Sequence, residues 1–112
     1  MSASAIFETL AKEHRLRGTD LQAFTARAAY YLGEINAIHP FREGNGRTQR
    51  EFIRELGVAC GYVVAWEQAS RADMIAASAA AFVGDLLPLG ALIRNITASR
   101  NAQMSQDGGG QA

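Results

Sequence analysis

The chain has 112 residues, of which 48% are apolar, so it suits a single domain with a small core. Its 11 basic residues balance 11 acidic ones, and a zero net charge argues against duplex nucleic acid as the main ligand. The single cysteine, Cys60, excludes an intramolecular disulfide and a thiolate metal cluster, and we expect it to be a small buried side chain. No apolar run is long enough to span a bilayer, and Glu8 and Lys12 interrupt any signal peptide. The sequence therefore predicts a cytoplasmic protein with no membrane partner.

Helical periodicity dominates the first 40 residues and predicts two helices. The first runs from a cap at Ser4 to about His14, with Ile6, Phe7 and Leu10 inward. Thr19 and Gln22 are spaced like a capping box at the start of the second helix. That helix must end at residues 37–39, because Pro40 disfavours helical geometry at the residue before it. Its predicted inward face holds Leu21, Phe24, Ala28, Tyr31, Leu32, Ile35 and Ile38.

The second half of the chain predicts three more helices and a connector. Phe52, Ile53, Leu56 and Cys60 form an apolar stripe that Gly61 ends, and residues 62–66 form a short connector with some β-branched character. Ser70 is spaced as an N-cap for a helix that contains Met74, Ile75, Ser78, Ala81 and Phe82. Pro88 can start a last helix with Leu89, Leu92, Ile93 and Ile96 inward. The sequence thus predicts an all-α, compact bundle of about five helices.

Residues 39–50 read HPFREGNGRTQR and lie between the second and third predicted helices. Gly44, Asn45 and Gly46 precede an amphipathic helix, where free backbone N–H groups and the positive helix end attract anions. Taken alone, such a stretch is also typical of an ordinary glycine-rich helix start. Arg47, Arg50 and Arg54 follow at i, i+3 and i+7, on one side of the helix. They either contact phosphate or pair with Glu51 and Glu55, and the pairing is the favoured interpretation for Arg54.

Two further residues of the same segment carry proton and metal chemistry. Beside a polyphosphate, the carboxylate of Glu43 can hold Mg²⁺, although next to arginines it can also form a surface ion pair. His39 can accept a proton from an attacking hydroxyl, although a single histidine is more often structural. Twelve residues thus contain a potential base, an acid, a helix start that attracts anions, and several arginines, and this combination favours a functional site. No Walker motif and no zinc-ligand spacing occur in the sequence.

This segment resembles the signature of the Fic family, His-Pro-Phe-x-Asp/Glu-Gly-Asn-Gly-Arg-x-x-Arg, at every fixed position. The flanks AYYLGEINAI and EFIRELGVACGYVVAW are also similar to the family, and the resemblance covers roughly residues 4–97. It implies an all-α Fic domain over residues 1–99, followed by a disordered, polar and glycine-rich tail at 100–112. It also implies that the family's β-hairpin flap, which aligns the target segment, would precede Met1, so we expect this chain to lack it.

Members of this family mostly transfer AMP from ATP to a Ser, Thr or Tyr hydroxyl of a protein and release pyrophosphate. The resemblance gives His39 the role of general base and Glu43 that of Mg²⁺ ligand. It makes the backbone at Gly44, Asn45 and Gly46 the anion hole for the phosphates. It also gives Arg47 a phosphate contact and Arg50 the γ-phosphate. The implied protein is a bacterial Fic toxin-like adenylyltransferase that acts in the cytoplasm, or in a host cell if it is a delivered effector.

Many family members are inhibited by a helix carrying Ser/Thr-x-x-x-Glu-Gly/Asn, which pairs with the second motif arginine. Ser4 to Glu8 and Thr9 to Glu13 match that pattern only in part, so we expect the inhibitor elsewhere, for example on a separate antitoxin subunit. Two alternatives to AMP transfer remain. One is the transfer of phosphate or another phosphate-containing group, and the other is a truncated, non-catalytic module that binds nucleotide or a partner.

Overall fold

The computed structural model describes residues 3–38 and 45–99, and the predicted disordered tail lies outside that part of the chain. Five helices follow one another: α1 Ala3–Lys12, α2 Leu21–Ile38, α3 Asn45–Cys60, α4 Arg71–Phe82 and α5 Leu87–Ile96. Single 3₁₀ turns at His14–Leu16 and Trp66–Gln68 connect them. The all-α prediction is confirmed. No helix within the described ranges is long and apolar enough to cross a membrane.

The central helix of the bundle is α2, which contacts the other four helices. Phe24, Tyr31 and Leu32 on its predicted inward face are almost fully buried, as are Ile53 and Leu56 of α3. The predicted inward face of α5 is likewise buried in the core, at Leu89, Leu92, Ile93 and Ile96. In this packing, both α3 and α4 lie against the central helix α2.

A two-stranded antiparallel ribbon joins the predicted connector to the end of the bundle. Strand β1, Tyr62–Val64, pairs with β2, Thr97–Ser99, so that Val63 lies opposite Ala98. The β-branched connector was expected to be a link between helices, and its strand partner was not predicted. The two strands can pair because α5 packs beside α2, which places residues 97–99 next to β1.

Three local predictions are wrong in detail. Phe7 is 50% exposed and packs edge-on against Phe52 instead of entering the core. The side chain of Asp20, not that of Thr19, accepts the capping hydrogen bond, from the N–H of Ala23 at 2.7 Å. Cys60 is only half-buried, and its thiol donates to the carbonyl of Arg15 at 3.1 Å. The cap of α4 is as predicted, because the N–H of Asp73 donates to Ser70 Oγ at 3.0 Å.

Hydrogen bonds among Glu13, Arg27 and Tyr31 link α2 to residue 13, which directly follows α1. Arg27 donates two hydrogen bonds to the Glu13 carboxylate, at 2.9 and 2.7 Å, and the Tyr31 hydroxyl donates to the same carboxylate. The guanidinium of Arg27 lowers the pKa of Glu13. The pKa of Tyr31 is raised to about 12, mainly because its hydroxyl is buried and secondarily because it is hydrogen-bonded to Glu13. The cluster keeps its charges paired with each other at the end of α1.

Two helical glycines respond oppositely to an added methyl group. A Cβ at Gly57 would lie 2.9 Å from Val64 Cγ2 and 3.3 Å from the Tyr62 carbonyl oxygen, whereas a Cβ at Gly90 would meet only Ala29, at 3.8 Å. We expect Gly57→Ala to lower the free energy of unfolding by about 1–3 kcal/mol through overpacking. We expect Gly90→Ala to raise it by about 0.5–1 kcal/mol through helix propensity. Urea unfolding of both variants checks this, and a shift in the same direction for both would refute it.

Candidate active site

The second half of the HPFREGNGRTQR segment forms the first turns of α3. The helix begins at Asn45, one residue into the stretch that the sequence predicted as an anion-binding loop. The N–H groups of a helix's first four residues lack intrahelical partners and lie at the positive end of its dipole, so they can receive an anion. Among the predicted site residues, His39, Glu43 and Gly44 lie outside the described residues, and their roles stay predictions.

The two motif arginines differ from the third arginine on this helix. Arg54 is paired with Glu51, with Arg54 Nε and Glu51 Oε2 2.9 Å apart, as the favoured interpretation of the sequence predicted for this residue. Neither Arg47 nor Arg50 forms an ion pair with a residue in the described ranges. Arg47 is exposed and Arg50 is half-buried. Their guanidinium groups are therefore available to an anion held at the start of α3.

The backbone around Arg50 is fixed by Trp66, from the 3₁₀ turn after β1. The indole Nε1–H of Trp66 donates to the carbonyl oxygen of Arg50 at 3.0 Å. Trp66 is half-buried and packs against the core. The bond ties the segment after β1 to the second turn of α3, so the position of Arg50 depends on contacts made from a distant part of the sequence.

Arg50 borders a cavity of about 760 Å³ between α2, α3 and α4. This volume is typical of sites for small molecules and cofactors. The apolar part of its wall comes mainly from the 3₁₀ turn and α4, with Trp66, Met74, Ile75 and Phe82. Its polar part is Asn36, Arg50, Arg71 and Ser78. Large apolar side chains next to two cations suit a ligand that has an apolar ring system at one end and negative charge at the other.

The described lining of the cavity contains two arginines and no carboxylate. Within residues 3–38 and 45–99, no group of three His, Cys, Asp or Glu side chains is arranged to hold a metal ion. A Mg²⁺ ion at this site would therefore depend on the carboxylate of Glu43 together with phosphate oxygens and water, a ligand set that this ion commonly accepts.

Sequence reasoning found the arginines but missed the cavity wall. Ile75 and Phe82 were interpreted only as residues of a helix, and they are 60% and 69% exposed. The two residues are seven positions apart in the sequence, so they lie on one face of α4, two turns from each other. Asn36 was overlooked because it lies among apolar neighbours on α2. A polar residue within a predicted inward face was the signal that could have identified it.

Comparison with known proteins identifies the family of this chain. The Fic/DOC family model matches residues 2–56. The protein adenylyltransferase VbhT of Bartonella schoenbuchensis is 45% identical over 108 residues, which are 93% of this chain and 23% of VbhT. The chain belongs to the Fic/DOC family.

Two solved structures extend the likeness to the fold. One is the N-terminal Fic domain of a VirB-translocated Bep effector from Bartonella quintana, with TM-score 0.84 and 31% identity over 93% of this chain and 48% of that one. The other is such a domain from the same organism with bound ADP, with TM-score 0.82 and 32% identity over 90% of this chain and 48% of that one. This Fic chain thus spans less than half the length of the proteins it matches.

Proposed function

We propose that this Fic chain is part of a protein adenylyltransferase, which moves AMP from ATP to a Ser, Thr or Tyr hydroxyl of a target protein. The observation that carries the proposal is the complete HPFREGNGRTQR segment, in which Arg50 reaches the wall of a ligand-sized cavity. Two relatives support the proposal. VbhT is named a protein adenylyltransferase, and the Bartonella quintana domain binds ADP, so we expect adenylyl transfer and an adenine nucleotide ligand for this chain as well.

The start of α3 and its two unpaired arginines would hold the triphosphate. The backbone N–H groups at Gly44, Asn45 and Gly46 would provide donors, and the two glycines add no side-chain bulk near the phosphates. Arg47 and Arg50 lie three residues apart, so both guanidinium groups can reach one polyphosphate from neighbouring positions on the helix. With Arg50 on the γ-phosphate, the α-phosphate would face the incoming hydroxyl. This orientation lowers the barrier by positioning the two reactants.

His39 would act as the general base in this reaction. The target hydroxyl oxygen forms a bond to the α-phosphorus, the bond from that phosphorus to the bridging oxygen breaks, and pyrophosphate leaves. The hydroxyl proton passes to the imidazole, whose ordinary pKa lies near neutrality. Mg²⁺ held by Glu43 would supply neutralisation of the phosphate charge.

The cavity beside Arg50 would receive the base of the nucleotide. Its wall combines the indole of Trp66 and the ring of Phe82 with the side chains of Met74 and Ile75. An apolar, partly aromatic wall favours burial of a planar base, while Arg50 keeps the phosphates at the rim. A protein target is expected as the partner in the reaction. An antitoxin carrying an inhibitory helix is a second expected partner, because a glutamate on such a helix would compete for Arg50.

The test is radiolabel transfer with magnesium and a lysate that contains protein targets. Relative to the same lysate without this chain, label from α-³²P-ATP should increase on protein, and label from γ-³²P-ATP should not. Transfer from the γ-position alone would establish phosphoryl transfer in place of adenylyl transfer. ATP binding without transfer to any protein, in this chain and in a longer form with an upstream flap, would show a non-catalytic nucleotide-binding module.

A further inference from the structure

The side chain of Asn36 on α2 is buried without a complete set of hydrogen bonds. Asn36 is 6% exposed, and its Oδ1 has no hydrogen-bond partner among the residues that the structure describes. Leaving a buried amide oxygen unpaired costs stability, so such a group in a folded protein requires an explanation. A fold selected for stability alone would favour an apolar side chain of similar shape at this position.

Asn36 lines the same cavity as Arg50, and the two residues come from different helices. In the described part of the chain, the Arg50 guanidinium has no ion-pair partner, and Glu51, its neighbour on α3, is already paired with Arg54. A guanidinium has five N–H donors, and a bidentate phosphate contact uses only two of them. The remaining donors can bond water or a protein acceptor, and Asn36 Oδ1 is an acceptor that lacks a donor in the described part of the chain.

We propose that Asn36 is a positioning residue, whose Oδ1 accepts a hydrogen bond from the Arg50 guanidinium and orients it toward the terminal phosphate of a bound nucleotide. This inference rests on the proposed function, and it assigns to Asn36 a role that acts through Arg50. No such bond is present between the two side chains in the described part of the chain, so the Arg50 guanidinium must turn toward Asn36 Oδ1 for the bond to form.

The amide is better suited to this role than a carboxylate. A carboxylate at position 36 would pair with the Arg50 charge and repel a polyphosphate, and it would add a buried charge to the cavity wall. A neutral acceptor holds the guanidinium and leaves its charge for the ligand. Asn36→Asp should therefore weaken ATP binding more than the removal of the acceptor does.

The experiment measures dissociation constants for ATP and for AMP in the 112-residue chain and its variants. Asn36→Leu keeps the approximate shape and removes the acceptor, so its ATP affinity should fall about tenfold while its AMP affinity falls much less. Its thermal midpoint should rise, because a buried oxygen with no partner among the described residues has been replaced by an apolar group. A residue with only a structural role would not give higher stability together with weaker ATP binding.

A double-mutant cycle with Arg50→Ala identifies the route of the effect. If Asn36 acts through Arg50, Asn36→Leu should weaken ATP binding no further in the Arg50→Ala background. Additive losses, or equal losses of ATP and AMP affinity, would overturn the inference while leaving the role of Arg50 intact. An Arg50→Ala variant with unchanged ATP affinity would instead contradict the proposed function at that residue, and the inference with it.

Discussion

His39→Ala should lower the rate of adenylyl transfer by about 10²–10⁴-fold and leave ATP affinity within about twofold of the unaltered chain. A positioned base contributes to the transition state, in which the hydroxyl proton is leaving, and contributes little to nucleotide binding. The measurement pairs initial rates of protein labelling from α-³²P-ATP with a separate ATP titration of each protein. The two readouts distinguish loss of chemistry from loss of the nucleotide site.

The matched control for this variant is His14→Asn, which removes the other imidazole of the chain. His14 is exposed and has φ of 55°, a conformation that asparagine tolerates better than most residues. Labelling by His14→Asn should equal that of the unaltered chain. Undiminished transfer by His39→Ala would remove His39 from the mechanism, whatever the result for the control.

Arg50→Ala should weaken ATP binding by about 10–100-fold, since hydrogen bonds from a charged donor contribute about 1.5–3 kcal/mol each. The loss should be much smaller for AMP, which lacks the γ-phosphate that Arg50 is proposed to hold. Calorimetric titration with ATP and AMP at fixed ionic strength measures both affinities, and the fixed salt matters because screening alters such contacts.

Arg54→Ala is the control for charge on the same helix. Arg54 lies four residues, or about 6 Å of helix rise, beyond Arg50, and it is already paired with Glu51. Its removal should leave ATP affinity unchanged. Equal losses in the two variants would mean that α3 attracts nucleotide through general positive charge, and the specific role of Arg50 would be wrong.

The helices were predictable because the apolar spacing of this chain is local information. Ile53 and Leu56 lie on the predicted stripe of α3, and both are fully buried. The misassigned details depend on the neighbours that each residue meets. Phe7 was expected inward from its spacing, but its ring packs at the edge against Phe52, on a partner helix whose position the spacing of α1 does not specify.

The candidate site likewise has one part that the sequence predicts and one part that it does not. The motif arginines could be assigned from sequence, since their spacing along α3 and the glycines before them are contiguous. The cavity could not, because its wall joins Asn36 from α2 to Trp66 and Phe82 from beyond α3. Their proximity depends on how α2, α3 and α4 pack, and long-range packing of this kind leaves no periodic signal in any one segment.

The most direct test of the central claim is a crystal structure of this chain with Mg²⁺ and a non-hydrolysable ATP analogue. We expect the triphosphate at the first turn of α3 with its terminal phosphate on the Arg50 guanidinium, and the base between Trp66 and the Phe82 face of α4. A nucleotide bound at another surface, or one at this surface with Arg50 turned away from its phosphates, would contradict the account.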